Sequence, residues 1–387
     1  MQQAHNKKFP IKVAVVIPSY GLIGGAELSA FELAERIAAQ NEFDLHVFAM
    51  KFVKGNAPIT FHQIPETYFP RFLKPIAFAW HVNRKVKSGA FDVVHSHERI
   101  FNADVFSVRG IPHEIWVRDI RKKRQSLFDK STSWVEQKGY KFNDVVLLPV
   151  SSMVSEKLVE CYNMQGKKMH IMYPGVDLKR FTSVNNRSTR HLIRSAHGLK
   201  DEDTVALFVG MNFEIKQLEL IVRAIAEANK TWPRQGRLML LVVGKGNEKR
   251  YNDMAMELGI EKHVIFTGIR KDVENFYAAS DFFVMPSLMD TFGKVVLEAM
   301  ALKLPVIISD KVGAKDIVTD GKSGFIIPVN SSPAYLAEVF LDLSSAEKRN
   351  LMGEAALVTA HSHDWDKKAI ELAEIYKNIA GKKQGQL

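Results

Sequence analysis

The chain of 387 residues contains a single cysteine, Cys161, and no long apolar run. One cysteine excludes an internal disulfide framework and is typical of a reducing compartment. No stretch reaches the ~18 apolar residues that a membrane-spanning helix requires. The first residues contain a short apolar run typical of a strand, without the cleavage site of a signal peptide. We therefore expect a cytoplasmic protein, soluble or peripheral on the inner face of the cytoplasmic membrane.

The net charge of +10 is concentrated in the first half of the chain. Residues 1–175 hold 24 Lys and Arg against 16 Asp and Glu, which leaves +8 there and +2 in the remainder. Two basic clusters are NRKVK (83–87) and RDIRKKR (118–124). Such clusters can bind an anionic lipid surface or nucleic acid, or can simply face solvent. Screening by salt limits their electrostatic attraction to ~8–10 Å. We expect the basic half to face the anionic partner.

Short runs rich in Val, Ile and Phe alternate with amphipathic stretches of helix length. This alternation is typical of buried parallel strands in strand–helix units, and a chain of this length favours two domains. We predict two doubly wound domains, residues 1–175 and 176–364, with a C-terminal helix (365–387) that can pack back on the first. A further helix is predicted over about 116–140. The predicted strands are KVAVVIPS, DLHVFAM, ITFHQIP, DVVHSH, DVFSV and DVVLLPV, followed by TVALFVG, RLMLLVVG, HVIFTG, DFFVMPS, PVIISD and GFIIPV.

Two glycines, Gly24 and Gly25, lie between a predicted strand and helix in PSYGLIGGAELSAFELAERIAA. Backbone N–H groups and the dipole at a helix start favour a phosphate, and glycine lets it approach closely. The spacing matches neither the Rossmann fingerprint nor a P-loop. A diphosphate site and an ordinary turn both remain open.

Lys216 lies in the predicted first turn of a helix in VGMNFEIKQLELIVRAI (209–225). The helix dipole disfavours a cation there, so the lysine should have an anionic partner such as a nucleotide phosphate. The alternative is an exposed lysine, at a cost of only a few tenths of a kcal/mol.

Two carboxylates frame the start of another predicted helix in FVMPSLMDTFGKVVLEAMALKLPVIISD (283–310). Asp290 lies in the loop, and Glu298 lies on the helix within an apolar run. An ionised glutamate there needs hydrogen-bond donors, which ribose hydroxyls would supply. Alternatively, Asp290 or Thr291 caps the helix and Glu298 pairs with Lys294 one turn earlier.

The block DTFGKVVLEAMALKLPVIIS resembles the signature of the retaining GT-B glycosyltransferases of family 4, the glycosyl transferases group 1. GGAE, DVVHSH, YPGVD, VVGKGNE, FTGIRKDVENFYAASDFFVMPS and GKSGFIIP match in the same order. NADVFSVRGIPHEIW (102–116) is similar to lipopolysaccharide core hexosyltransferases. The resemblance implies the GT-B fold, an α/β architecture in which two doubly wound Rossmann-like domains face a central cleft.

The resemblance also implies roles for the motif residues. Glu298 would hold the donor ribose, and Asp290, one methylene shorter than the family's usual glutamate, would contact the transferred sugar. Lys216 would neutralise the leaving phosphate, while the arginine that commonly precedes it is Ile215 here and could be replaced by Lys294 or Arg270. The remaining donor-binding residues would be the pair Gly24 and Gly25, the backbone of Phe292, Gly293 and Lys294, and Gly268, Ile269 and Arg270 beside the base.

Two histidines are candidates on the acceptor side. His97 and His113 follow predicted strands, where sites of parallel sheets form. The resemblance favours His113 as the catalytic residue, with His97 as second choice. A surface or core histidine is the alternative for His113 and more so for His95, which strand alternation points the other way from Ser96.

The sequence thus predicts transfer of a hexose, with retention, from a nucleotide-diphosphate sugar to a glycan or glycolipid acceptor such as lipopolysaccharide core. A UDP-sugar is favoured, and no metal, other cofactor or nucleic acid partner is expected. The triplets at 201–203 and 364–366 follow no buried strand and are not predicted to bind metal. A sugar-nucleotide epimerase of the same architecture and a non-enzymatic binder of anionic lipid or nucleic acid remain as alternatives.

Overall fold

The computed structural model describes residues 10–22, 25–142, 144–164, 166–233, 236–383 and 385. The chain divides into two compact units. The first runs to Pro174 and resumes at Trp365, and the second is Gly175–Asp364. Within the described residues, no helix is both long and apolar enough to cross a membrane.

The first unit is built on a parallel sheet. Its strands are β1 (Ile11–Val16), β2 (Ser19–Tyr20), β3 (Phe43–Ala49), β4 (Lys51–Phe52), β5 (Thr60–Gln63), β6 (Val93–Ser96), β7 (Val105–Val108) and β8 (Val146–Pro149). In the described part of the chain, six of them form one sheet in the order β5-β3-β1-β6-β7-β8, and β2 pairs with β4. Val13 of β1 lies beside Leu45 on one side and Val93 on the other, all buried.

Helices cover this sheet. They are α1 (Gly25–Ala38), α2 (Lys74–Ser88), α3 (His113–Ile115), α4 (Leu127–Tyr140), α5 (Ser152–Tyr162) and the C-terminal helix (Trp365–Lys383). The C-terminal helix packs on α1 and buries Trp365, Leu372 and Tyr376 in the core of the sheet. His95 belongs to the same core, with its Nδ1 2.6 Å from the Tyr376 hydroxyl, and burial lowers the pKa of His95 to about 3.

The predicted helix over 116–140 is interrupted at residues 121–126. A π-helical turn (Trp116–Ile120) follows α3, and α4 begins only at Leu127. Ser126 and Asp129 form a reciprocal capping box, in which each side chain accepts a hydrogen bond from the backbone N–H of the other. Because this box satisfies the first N–H groups of a new helix, it starts α4 inside the basic stretch.

The second unit repeats the architecture. Its strands are β9 (Thr204–Met211), β10 (Leu238–Lys245), β11 (Val264–Phe266), β12 (Phe282–Met285), β13 (Val306–Ser309) and β14 (Gly324–Ile327). They form a parallel sheet of six described strands in the order β11-β10-β9-β12-β13-β14. The helices are α6 (Leu178–Ser183), α7 (Arg187–Ala196), α8 (Leu218–Asn229), α9 (Glu248–Glu257), α10 (Val273–Ala279), α11 (Lys294–Ala301), α12 (Pro333–Asp342) and α13 (Ala346–Ser362).

The strand order of the second sheet reverses between β9 and β12. The chain runs outward from β9 to β11 on one side and from β12 to β14 on the other. In open α/β sheets, ligands bind beyond the carboxyl ends of the strands at such a switch point. The loops after β9 and β12 are therefore the first place to look for a site.

Candidate active site

The loops after β9 and β12 bring Lys216 and Asp290 into direct contact. Lys216 Nζ forms an ion pair with Asp290 Oδ2, and both side chains are largely buried. The two loops are also joined through the backbone, because the Ile215 carbonyl accepts hydrogen bonds from Leu288 N (2.8 Å) and Ser287 Oγ (3.1 Å). At the switch point, the Lys216 ammonium is thus paired with the carboxylate of Asp290 from the same unit.

Lys216 does not lie in the first turn of a helix, so that prediction is wrong. α8 begins at Leu218, and its N-cap, Gln217, has a left-handed φ of 56°. The Gln217 side-chain amide donates to the carbonyls of Pro286 (2.6 Å) and Val329 (3.0 Å), which holds this conformation. Lys216 therefore sits in the turn before the helix, where its anionic partner is Asp290.

Asp290 is fixed by its own loop. Its backbone N donates to the Lys311 carbonyl (3.0 Å), and its carbonyl accepts from Gly313 N (2.9 Å). Its Oδ1 accepts from Phe292 N at 3.2 Å, while Oδ2 meets Lys216. The two carboxylate oxygens thus point to different partners, one on each side of the switch point.

Gly293 occupies the N-cap position of α11 with a φ of 83°. Neither Asp290 nor Thr291 is therefore the N-cap residue. A Cβ at Gly293 would lie 2.9 Å from Met285 Cε and 3.2 Å from Val312 Cγ1. The positive φ favours glycine, and a Cβ would in addition require the Met285 and Val312 side chains to shift.

Glu298 lies one turn into α11 and is partly buried. Tyr277, buried on α10, places its hydroxyl 3.0 Å from Glu298 Oε2. Burial raises the pKa of Glu298, and the charges of Lys294 and Arg180 together with the Tyr277 hydrogen bond oppose that rise. A ligand that offers hydroxyl donors would stabilise this carboxylate in its ionised form.

The loop after β11 carries the residues expected beside the base. Gly268 has a φ of 67°, and its carbonyl accepts from Gly244 N (2.8 Å) at the end of β10. Ile269 is exposed. Arg270 pairs with Asp272 through two hydrogen bonds of 3.0 and 3.1 Å. The predicted donor residues of the second unit thus follow strands of one sheet at their carboxyl ends.

The glycine pair predicted to bind the donor diphosphate and the acceptor-side histidines lie in the first unit. Gly24 is outside the described residues, and Gly25 begins α1, where its carbonyl accepts from Ser29 Oγ (2.9 Å). His97 follows β6, with its Nδ1 3.2 Å from Arg109 Nη2. Burial, the neighbouring His95 and Arg109 together lower the pKa of His97 well below its usual value.

His113 begins α3 and is held at two points. Its backbone N donates to Glu136 Oε1 (2.9 Å), and its Nε2 lies 3.0 Å from Asp129 Oδ1. Asp129 also accepts from Arg121 Nη1 at 3.0 Å. Burial opposes ionisation of Asp129, but the hydrogen bonds from Ser126 and His113 and the Arg121 charge hold its pKa well below the usual value.

Two further residues are candidates that the sequence analysis does not identify. Tyr277 orients Glu298, but nothing in its sequence neighbourhood marks it. Arg109 follows β7 directly and lines a small cavity of about 10 Å³ with Ser29 and Ser107. Its Nε is buried without a hydrogen-bond partner in the described part of the chain, and burial lowers the pKa of Arg109 to about 10. A polar residue immediately after a buried strand is the signal that could have found it.

Two doubly wound parallel sheets with covering helices define the GT-B class of glycosyltransferase folds, as predicted. WaaG, a glycosyltransferase involved in lipopolysaccharide biosynthesis, has the same fold, with a TM-score of 0.75 at 22% identity over 94% of this chain and 99% of that one. Alr3699/HepE of Anabaena, solved in complex with UDP-glucose, matches with a TM-score of 0.69 at 17% identity over 95% and 100% of the two chains.

The sequence itself matches two family models. The model for glycosyl transferases group 1 matches residues 189–358, and the model for glycosyltransferase family 4 matches residues 23–180. The chain belongs to this family of glycosyltransferases, which confirms the family predicted from its motifs. The D-inositol 3-phosphate glycosyltransferase of Streptomyces scabiei is 26% identical over 93% of this chain and 87% of its own length.

Proposed function

We propose that this glycosyltransferase moves a hexose from a nucleotide-diphosphate sugar to a hydroxyl of a glycan or glycolipid, with retention of configuration. The observation that carries the proposal is the Lys216–Asp290 pair at the switch point of the second sheet. In this pair, a cation that can neutralise a leaving phosphate lies beside a carboxylate that can accept hydrogen bonds from sugar hydroxyls. The pair lies at the position where α/β sheets bind nucleotides.

The donor is assigned to the second unit. Glu298 accepts the ribose hydroxyls, the backbone of Phe292, Gly293 and Lys294 meets the diphosphate and sugar, and Ile269 and Arg270 flank the base. UDP is the favoured nucleotide, and the UDP-glucose complex of Alr3699/HepE supports this choice. The donor diphosphate attracts Lys216, which leaves Asp290 to accept hydroxyls of the hexose.

The acceptor is assigned to the first unit, with His113 as the catalytic-site residue and His97 as second choice. The acceptor hydroxyl attacks on the face from which the diphosphate leaves, and a phosphate oxygen of the donor accepts its proton. Lys216 and the N-terminus of α11 stabilise the charge on the leaving group, so the proposed reaction uses no metal or other cofactor.

Lipopolysaccharide core is the favoured acceptor. WaaG, which shares the fold and is involved in lipopolysaccharide biosynthesis, supports this choice. Such an acceptor places the enzyme in the cytoplasm, peripheral on the inner face of the cytoplasmic membrane.

The decisive experiment compares Lys216→Ala and Glu298→Ala with the exposed control Lys230→Ala. Free nucleotide is measured with UDP-, GDP- and ADP-sugars, with and without acceptor glycan. Removing one group that stabilises transition-state charge costs ~10²–10³ in rate, so Lys216→Ala should lose at least that much. Glu298→Ala should lose donor binding, seen as loss of the thermal stabilisation that the donor gives the wild type.

Two outcomes would overturn the proposal. Wild-type turnover in both site variants would remove these residues from the reaction. Conversion of the sugar nucleotide without release of free nucleotide, and without any need for an acceptor, would indicate an epimerase.

A further inference from the structure

The turn between β9 and α8 contains two non-glycine residues in the left-handed region. Asn212 has a φ of 61° and Gln217 has a φ of 56°. Asparagine enters this region comparatively often, whereas a residue such as glutamine does so rarely. Residues held in such conformations persist only where their surroundings fix them, and they cluster at functional sites. Gln217 directly follows Lys216, so its conformation affects the position of that lysine.

The side chain of Gln217 reaches two other loops. Its Nε2 donates to the carbonyl of Pro286, directly after β12, at 2.6 Å and to that of Val329, just after β14, at 3.0 Å. Because both partners are carbonyls, only the NH₂ end of the glutamine amide can face them. A single amide thus joins the loops after β9, β12 and β14.

The link between β9 and β12 falls where their strand pairing has ended. Their register pairs end with Leu207 beside Phe283, whereas β9 continues to Met211. Within the described chain, the loops beyond that point are therefore joined by hydrogen bonds outside the strand ladder, and the Gln217 amide supplies one of them. This is the crevice in which the donor is proposed to bind.

The same turn fixes the backbone of Lys216. Its N–H donates to the Asn212 carbonyl at 3.2 Å, and the N–H of Gln217 donates to the Glu214 carbonyl at 3.1 Å. The Lys216 side chain is therefore carried by a tight turn whose next residue is bound to two further loops. A shift at Gln217 would move the ammonium that pairs with Asp290.

We propose that Gln217 is a positioning residue for the transfer reaction. Its amide holds the loops after β9, β12 and β14 together, and through the backbone it places the Lys216 ammonium where the leaving diphosphate forms. This inference deepens the proposed function and rests on its assignment of Lys216 to the leaving phosphate. A charge placed in advance stabilises a transition state because it needs no reorganisation while the new charge develops.

The test uses two variants that remove the amide in different ways. Gln217→Gly accepts the left-handed conformation but lacks the side chain, whereas Gln217→Met keeps the length of the side chain but lacks its donors. Isothermal titration measures the affinity of the full chain for UDP, GDP and ADP and for the corresponding nucleosides. The nucleotide that binds the wild type most tightly is then followed in the variants together with its nucleoside.

Both variants should lose affinity for the diphosphate but not for the nucleoside, because only the diphosphate meets Lys216. Hydrogen bonds to charged groups are strong enough that the expected loss is about tenfold for the diphosphate, against less than about twofold for the nucleoside. With the sugar donor, kcat should fall by more than KM rises, since a misplacement of ~1 Å can cost ~10²-fold in rate.

A double-mutant cycle separates positioning from a general structural role. Lys216→Met alone should lose the extra affinity for the diphosphate, and Lys216→Met/Gln217→Gly should lose no more than that, because both changes act through one ammonium. Losses that add would show that Gln217 acts without Lys216 and would overturn the proposal. Wild-type diphosphate affinity and kcat in Gln217→Gly would also overturn it, because the turn would then hold Lys216 without the amide.

The matched control is Lys303→Gly. Lys303 also has a left-handed φ, of 59°, but it is exposed, lies just after α11 and pairs with Glu354 at 2.7 Å. This variant should keep wild-type nucleotide affinity and kcat, and thermal melts should show that all variants are folded. A loss in this control equal to that in Gln217→Gly would count against the proposal, since the effect would then follow from any left-handed residue.

The proposed function and the role of Gln217 fail in different ways. If Lys216→Met changes neither diphosphate binding nor kcat, the proposed role of Lys216 is wrong, and the role of Gln217 is wrong with it. If Lys216→Met is impaired and the Gln217 variants are not, the proposed function stands and only the positioning role is wrong.

Discussion

Tyr277 donates a hydrogen bond to Glu298, the carboxylate that we propose binds the donor ribose. In the proposed donor site, Glu298 accepts ribose hydroxyls as a carboxylate. Burial raises the pKa of Glu298, whereas the hydrogen bond from the Tyr277 hydroxyl favours the ionised form. A carboxylate with a raised pKa loses its charge as the pH falls through that pKa. Donor affinity should therefore decline on the acid side of the pH profile.

Tyr277→Phe should move this decline to higher pH, because it removes a donor that favours the charged form of Glu298. Hydrogen bonds to charged groups are worth ~1.5–3 kcal/mol, so we expect about a tenfold rise in KM for the donor, with a small change in kcat. The check is a pH profile of KM and kcat for this variant beside Tyr335→Phe, an exposed control. A profile that coincides with that of the control would remove Tyr277 from the site.

For single residues, the sequence predicts which side chains require a counter-charge or hydrogen-bond donors better than it predicts which residues supply them. It indicates that Lys216 needs an anion and that Glu298 needs donors. The ion pair with Asp290 and the hydroxyl of Tyr277 come from residues 74 and 21 positions away, respectively. No local pattern contains such pairings, because they arise only when the sheet brings together the loops and helices that flank its strands.

Among the elements, the start of α11 is the most constrained part of the candidate site. Gly293 has a left-handed φ, and a Cβ there would lie 2.9 Å from Met285 Cε and 3.2 Å from Val312 Cγ1. Gly321 provides a matched comparison, since its φ is 70° but no atom lies within 4 Å of a Cβ built there. The two glycines share the backbone requirement and differ in the steric one.

Gly293→Ala and Gly321→Ala should each lower the free energy of unfolding by ~1–2 kcal/mol, the cost of a side chain in the left-handed region. Gly293→Ala should additionally weaken donor binding, because the new methyl group crowds Met285 and Val312 beside the start of α11. Denaturant unfolding and nucleotide titration of both variants provide the check. Equal nucleotide affinity in the two would show that the start of α11 is not part of the donor site.

Element boundaries show where sequence patterns are weakest. Every strand predicted for the two sheets coincides with an observed strand. Most of these strands are buried on both faces and therefore give continuous apolar runs, whereas β5 (Thr60–Gln63) is partly exposed. The two-residue strands β2 and β4 are too short to leave such a pattern. The break before α4 is hidden for another reason: the Ser126–Asp129 capping box lies within a basic run whose composition suits a continuous helix.

For the molecule as a whole, the C-terminal helix ties the end of the described chain to its beginning. Tyr376 is buried against Phe43 of β3 and meets His95 of β6 at 2.6 Å. The strands it covers lie near the start of the chain, hundreds of residues earlier in sequence. The first unit is thus assembled from two distant segments.

Tyr376→Ala should destabilise the first unit by ~3–5 kcal/mol, as expected for truncation of a large buried ring. Ile370→Ala, at an exposed position of the same helix, should change stability by less than ~0.5 kcal/mol. Amide hydrogen exchange of the wild type and both variants measures the stability of each unit separately. Protection should fall in β1, β3 and β6 of Tyr376→Ala and remain unchanged in β9, β10 and β12.

The position of that helix also sets an order of events during synthesis. Ribosomes deliver the chain from its amino end at ~5–20 residues per second, and domains tend to fold as they emerge. The sheet that is made first lacks its covering helix until the second unit has been completed. The first unit, most of which is translated before the second, is therefore the last to close its core, and a newly made chain is most vulnerable to proteases and aggregation in that unit.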